Sequence, residues 1–182
     1  MKAIVFNDND YERLIGWVES KQILQQWASP VFDFPITREQ LITANVKRGD
    51  QRLIYKGVLD DEVVAHGEIG FIDEVNQSAR LCKILINPER RGEGLGTLWI
   101  KTLVDIGFVE LKLNRIELNV YEHNQSAIAC YQKAGLTIEG LIRAAYKIDD
   151  NFWSVYRMSI LREEWQQQNT IFPVSNRIGG ML

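Results

Sequence analysis

Arg90-Arg91-Gly92-Glu93-Gly94-Leu95-Gly96, set between the apolar run Leu81-Cys82-Lys83-Ile84-Leu85-Ile86 and a long amphipathic segment, decides the fold. A strand-type run, a basic glycine-rich loop and a helical pattern follow one another there. Such a loop leaves backbone N–H groups uncovered, and the start of a helix adds partial positive charge. Arg90 and Arg91 add full charges. The combination suits a pyrophosphate, so the chain reads first as a binder of a phosphate-bearing cofactor. A Walker A loop ends in Gly-Lys-Ser/Thr, whereas Gly96 is followed by Thr97-Leu98. A dinucleotide fingerprint fits no better: its third glycine falls on Thr97, and Asn87-Pro88-Glu89-Arg90 separate the loop from the strand. By itself the loop also fits a tight strand-to-helix turn that holds no ligand.

Upstream, Arg52 to Leu59, Val63 to Ile72 and Ala79 to Ile86 are strand-like runs joined by short polar segments, which predicts an antiparallel meander. Before them come a strand over Lys2 to Asn7 and a helix capped by Asn9 or Asp10 that runs to about Glu19. A second helix starts at Ser20 and is broken at Ser29-Pro30, and Val31 to Pro35 form an aromatic loop. Thr37 and Gln40 make the capping box of a third helix. Downstream, Leu95, Leu98, Trp99, Leu103 and Ile106 repeat at helical spacing, and Arg115 to Tyr121 is a strand. Asn124 caps a helix that Gly135 ends, and Thr137 to Ile148 and Phe152 to Ile160 are two final strands. One domain over residues 1–165 is expected, with a tail over 166–182 that is either disordered or an added strand.

Composition narrows the class. The 182 residues are 46% hydrophobic and 25% charged, ordinary for a single soluble domain. A net charge of −3 with no basic run argues against nucleic acid as a partner. No apolar run approaches membrane-spanning length, and the first residues turn acidic too soon for a signal peptide. Cys82 and Cys130 are too few for a disulfide framework and read as inert buried thiols in a cytoplasmic protein. With His66 and His123 as the only histidines, no metal site is expected.

A second constellation lies at Asn124 to Leu136. Asn124 and Tyr131 stand seven residues apart, on one face of the predicted helix. A cap amide and a phenol so placed can hold two parts of one ligand, although an ordinary N-cap and a core tyrosine have the same spacing. Taken together, Ile84-Leu85-Ile86-Asn87-Pro88, then Arg91-x-x-Gly94-x-Gly96, then Asn124-x-x-Ala127-x-x-x-Tyr131-x-Lys133-x-Gly135-Leu136, resemble the GNAT superfamily of acetyl-CoA-dependent N-acetyltransferases. The resemblance covers residues 60 to 161. Its C-terminal part, Glu139 to Arg143 and Trp153 to Met158, is similar to the branch of ribosomal-protein and polyamine acetyltransferases. The first sixty residues share only the strand-then-helices layout.

The resemblance implies an α/β domain with a mixed, mostly antiparallel twisted sheet of about seven strands, flanked by helices and splayed between residues 79–86 and 115–121. Acetyl-CoA, as co-substrate, is expected in that cleft. Backbone groups of Ile84, Leu85 and Ile86 would pair with its pantetheine arm. The loop of Arg91, Gly92, Glu93, Gly94, Leu95, Gly96 and Thr97 would hold the pyrophosphate. Asn124, Ala127, Tyr131 and Lys133 would complete the cofactor site. The implied reaction is direct acetyl transfer to a primary amine, either a peptide N-terminus or a small polyamine-like acceptor. An aminoglycoside-type acceptor and a non-catalytic acyl-CoA sensor stay open.

Such a transfer needs a neutral amine, N–H donors for the developing oxyanion near Leu85 or Ile86, and a proton for the leaving thiolate. The family matches Tyr131 to that acid. Some members carry a glutamate five residues before the asparagine, but here that position is Asn119. Glu68 is then the candidate base, directly or through water; a salt-bridged role, Glu117, Glu122, His123 and a base-free route stay open. Trp27, Phe32, Asp33, Phe34 and Tyr146, with Trp153, are candidates for the acceptor wall, where rings and an acid suit a cationic amine. Simple lid or core contacts explain the same rings. The protein is expected to act as a monomer or homodimer.

Overall fold

The strands run Lys2–Val5 (β1), Arg52–Leu59 (β2), Glu62–Asp73 (β3), Ser78–Ile86 (β4), Arg115–Tyr121 (β5), Thr137–Ile148 (β6) and Asn151–Leu161 (β7) in a computed structural model that describes residues 1–28, 30–48 and 52–171. They form one sheet in the order β1-β2-β3-β4-β5-β7-β6. All neighbours are antiparallel except β4 and β5, which are parallel. The helices are Tyr11–Trp17 (α1), Lys21–Ala28 (α2), Arg38–Arg48 (α3), Leu95–Asp105 (α4), Gln125–Lys133 (α5) and Arg162–Ile171 (α6). The meander is the one the strand pattern predicts, and the mixed, mostly antiparallel seven-stranded sheet is the one the family resemblance implies. Ser29 and residues 172–182, which carry part of the α2 break and most of the predicted tail, lie outside the described residues.

Two boundaries differ from expectation, for local reasons. Asp10 stands at the N-cap position of α1, as expected, but its carboxylate pairs with Asn7 to close a separate single turn over Asp8–Asp10, and α1 ends at Trp17 and not near Glu19. The polar region after Gln166 begins as helix rather than tail. Trp165 anchors α6, its Nε1 donating to Asp105 Oδ1 at 2.8 Å and its ring 5.4 Å from that of Phe108.

Each face of the sheet buries its own core. On one face Trp99, Ile100 and Leu103 of α4 and Phe108 just after it pack with Ile116 of β5 and Met158 and Ile160 of β7, all fully buried. On the opposite face α1, α2 and α3 bury Tyr11, Leu14, Trp17, Leu24, Trp27 and Leu41 around Leu85. Burying each such side chain contributes about 1.5–3 kcal/mol. The chain alternates between faces by strand periodicity: Leu81 joins the α4 core, so Arg80 and Cys82 face the other way.

The parallel pair is the exception to an otherwise continuous ladder. β4 and β5 pair only at Ser78↔Arg115, Ala79↔Ile116 and Arg80↔Glu117. Beyond Arg80 they diverge, and the edge of β4 from Leu81 to Ile86 faces open space. Lys83 lies at this point with φ +48°, inside β4. The β3–β4 register shifts beside it, between His66 and Glu68. The bulge twists the strand away from its parallel neighbour.

Candidate active site

The gap between β4 and β5 is a cleft of about 920 Å³. At one mouth stands the glycine loop. Gly92 and Gly94 have φ of +86° and +78°, a conformation that L side chains adopt only with strain. A Cβ at either position would meet nothing within 4 Å, so the loop is bare on its outer side. Gly94 is also the N-cap of α4 and offers no side-chain cap. The first backbone bond of the helix runs from Leu98 N to Gly94 O at 3.2 Å, leaving the N–H groups of Leu95, Gly96 and Thr97 free of intrahelical acceptors. Arg91 and Lys133 line the cleft here, and neither has an ion pair among the described residues. Arg90 is engaged instead with Glu93 and Glu62, which keeps Glu93 off the cleft wall. Uncapped donors, open left-handed glycines and two unpaired cations fit a pyrophosphate-bearing cofactor.

The second constellation forms the facing wall. Asn124 caps α5, its Oδ1 accepting from Ala127 N at 3.2 Å, and its Nδ2 has no partner among the described residues. Ile84, Leu85 and Ile86 line the opposite side, with Ala127 and Tyr131 next to Asn124. Burial, with the Cys130 thiol beside it, pushes the Tyr131 phenol well above its ordinary pKa, so it is protonated at neutral pH. Cys130 also lines the cleft and accepts from Thr97 Oγ1 at 3.5 Å; burial pushes its thiol up as well. Both cysteines are half-buried cleft residues, not the buried thiols expected from the sequence.

On the far face the structure separates the acceptor candidates. Trp27 and Tyr146 line the cleft. Phe32 does not; it is buried behind Trp27, ring centroids 6.1 Å apart and nearly parallel. Asp33 and Phe34 are exposed on the loop, away from the cleft, where Asp33 N donates to Gln40 Oε1. Trp153 packs edge-on against Tyr121 and His123, at 5.0 and 4.6 Å. Glu68 is not on the cleft wall. It is buried, with Lys83 Nζ at 2.8 and 3.0 Å from its two oxygens and Arg52 Nη1 at 3.1 Å. A proton taken there would leave two buried cations without their counter-charge, so the geometry speaks against Glu68 as base.

Sequence reasoning missed Phe71, Arg80 and Lys83, which line this end of the cleft. A signal existed for one of them: Lys83 interrupts an apolar strand. Asn119 lies on the wall too, its Oδ1 accepting from Arg157 Nε at 3.4 Å.

A model of the acetyltransferase (GNAT) family matches residues 17–136. Spermidine N(1)-acetyltransferase of Escherichia coli (strain K12) is 32% identical over 106 residues, covering 58% of this chain and 56% of that protein. The match therefore spans little more than half the length of that relative. The spermidine N(1)-acetyltransferase of Vibrio cholerae is 24% identical over 146 residues, covering 80% and 84% of the two chains. A crystal structure of spermidine N-acetyltransferase from Vibrio cholerae in complex with CoA and spermine superposes with a TM-score of 0.78 at 22% identity, over 91% of this chain and 97% of the other. At that identity the likeness speaks for the fold.

Proposed function

The chain belongs to the acetyltransferase (GNAT) family, and from that premise we propose that it transfers the acetyl group of acetyl-CoA to a primary amine of a small molecule. The observation that carries this reading is the opened β4–β5 gap, with the uncapped glycine start of α4 at its mouth. The names of the relatives support a small-molecule acceptor, polyamines among the candidates, ahead of a peptide N-terminus.

Acetyl-CoA supplies an activated thioester when bound. The N–H groups of Leu95 to Thr97, with Arg91 and Lys133, hold its pyrophosphate, and the free edge of β4 aligns the pantetheine arm. Tyr131 keeps a proton on its phenol and gives it to the leaving sulfur. Because burial raises the Cys130 pKa, that thiol stays protonated, which supports direct attack over an acetyl-cysteine route. Among the described residues no carboxylate or imidazole lines the cleft. The amine then arrives already neutral, and deprotonation falls to solvent.

Two measurements test the reading. CoA binding by calorimetry should be lost on Gly94→Val, whose side chain would strain and cover the loop. Thiol release from acetyl-CoA in the presence of an amine panel should be amine-dependent. Binding without release would instead identify a non-catalytic acyl-CoA binder.

A further inference from the structure

Past β4 the cleft opens onto the face opposite α4, where Trp27, Phe71, Arg80, Lys83 and Tyr146 line it. The ionic residues along the whole lining are cations: Arg90, Arg91 and Lys133 at the glycine loop, and Arg80 and Lys83 at this far end. No carboxylate lines it among the described residues. Behind the far wall Glu68 is shared by Lys83 and Arg52, and Glu117 by Arg80 and Arg115, the last of which is also paired with Glu139.

The backbone is strained at two of these positions. Phe71 and Lys83 have φ of +53° and +48° although neither is glycine and both lie inside strands. Each sits at a register shift, Phe71 between Gly70 and Asp73 and Lys83 opposite the His66–Glu68 shift. Strain of this kind concentrates where a side chain has been re-aimed for a task. Phe71 underlies Arg80, whose Cζ is 4.9 Å from the ring centroid. Arg80 Nε and Nη2 bond Glu117 Oε1 at 3.0 and 2.6 Å, while Nη1 has no partner among the described residues. A guanidinium fixed by a ring and a carboxylate, with one edge still open, is prepared for an oxyanion.

Resting on the acetyl-transfer reading above, we propose that the acceptor is a primary amine whose skeleton also carries an anionic group, a carboxylate or a phosphate, and that Arg80 binds this group. A polycationic acceptor would bring a second ammonium against Arg80 with no carboxylate on the wall, among the described residues, to receive it. This acceptor class departs from the one for which the named relatives are known.

Matched amines test it in the full-length wild-type protein: 4-aminobutyrate against butylamine, glucosamine 6-phosphate against glucosamine, and spermidine. Thiol release from acetyl-CoA is the readout. One anionic member is expected to exceed its neutral match at least tenfold in kcat/KM, and the pair in which it does so separates carboxylate from phosphate. Arg80→Gln should then shrink that ratio about tenfold through the KM of the anionic amine, with less change in its kcat, and Arg80→Lys should restore part of it. Spermidine as the best acceptor, or equal turnover within both pairs, overturns the anionic acceptor and leaves acetyl transfer standing. No release with any amine overturns both. The wild-type ratios decide the matter even if Arg80→Gln does not fold.

Discussion

Tyr131 and His66 show how burial sets the use of a single side chain. Burial raises the Tyr131 phenol, which suits it to deliver a proton and not to take one. Tyr131→Phe is expected to lower kcat about a hundredfold or more while changing the Kd for CoA far less; turnover equal to wild type in a stopped-flow thiol assay would remove Tyr131 from the reaction. His66 is a different case. Its ring is buried between Phe6 and Trp27, at 5.2 and 5.8 Å, and neither nitrogen has a hydrogen-bond partner among the described residues. Burial lowers its pKa from 6.5 to about 4. The unfolded chain therefore binds the extra proton first as pH falls, and stability present above pH 6.5 is lost progressively toward pH 4, by about 3 kcal/mol in all. Urea unfolding across that range should show a shallower loss for His66→Leu than for wild type; parallel curves would mean that the ring is not buried neutral.

At the scale of elements, α4 and its flanks do most of the positioning. The helix begins uncapped at Gly94, where the cofactor is expected, and ends in a wider turn over Ile106–Glu110 that seats Gly107 against β5. A Cβ at Gly107 would lie 2.4 Å from Ile116 Cδ1. Gly107→Ala should therefore destabilise the protein by about 1–3 kcal/mol through overpacking, read from the urea midpoint, and the loss should shrink when Ile116→Val is added. Across the cleft, the β6–β7 turn is tied to α2: Lys21 Nζ reaches both oxygens of Asp149 at 2.9 Å, and Gln25 Nε2 donates to one at 3.0 Å. Both sides contribute cleft residues, Trp27 from α2 and Tyr146 from β6 just before the turn. The pair is solvent-exposed and adds little stability. Its consequence is geometric, since it joins the two walls of the acceptor end.

For the whole molecule, the splay divides a sheet that would otherwise be continuous. Only three residue pairs join β4 to β5, so the β1–β4 half and the β5–β7 half meet along a short seam and through α4. A ligand seated in the gap touches both halves. CoA at a hundred times its Kd should stabilise the native state by about 2.7 kcal/mol. It should also slow hydrogen exchange at β4 and β5 together; protection confined to the loop at residues 91–97 would show that the ligand does not enter the gap.

Read alone, the chain specifies its elements, the bare loop before α4, and the Asn124 and Tyr131 pair on one helix face. Those features are local: they follow from residues two to seven apart, whose spacing fixes strand, turn and helix geometry. The family resemblance carried the seven-stranded sheet. The assignment of Glu68, the exclusion of Phe32, Asp33 and Phe34 from the cleft wall, and the discovery of Arg80 there required the fold. Glu68 meets Lys83 across a register shift between β3 and β4, and Arg80 meets Phe71 across a second one. A shift of one residue in pairing reverses which face a side chain occupies, and no neighbouring residue signals it. Which charge faces the ligand and which is buried behind it is therefore a property of strand registration, settled only when distant segments come together.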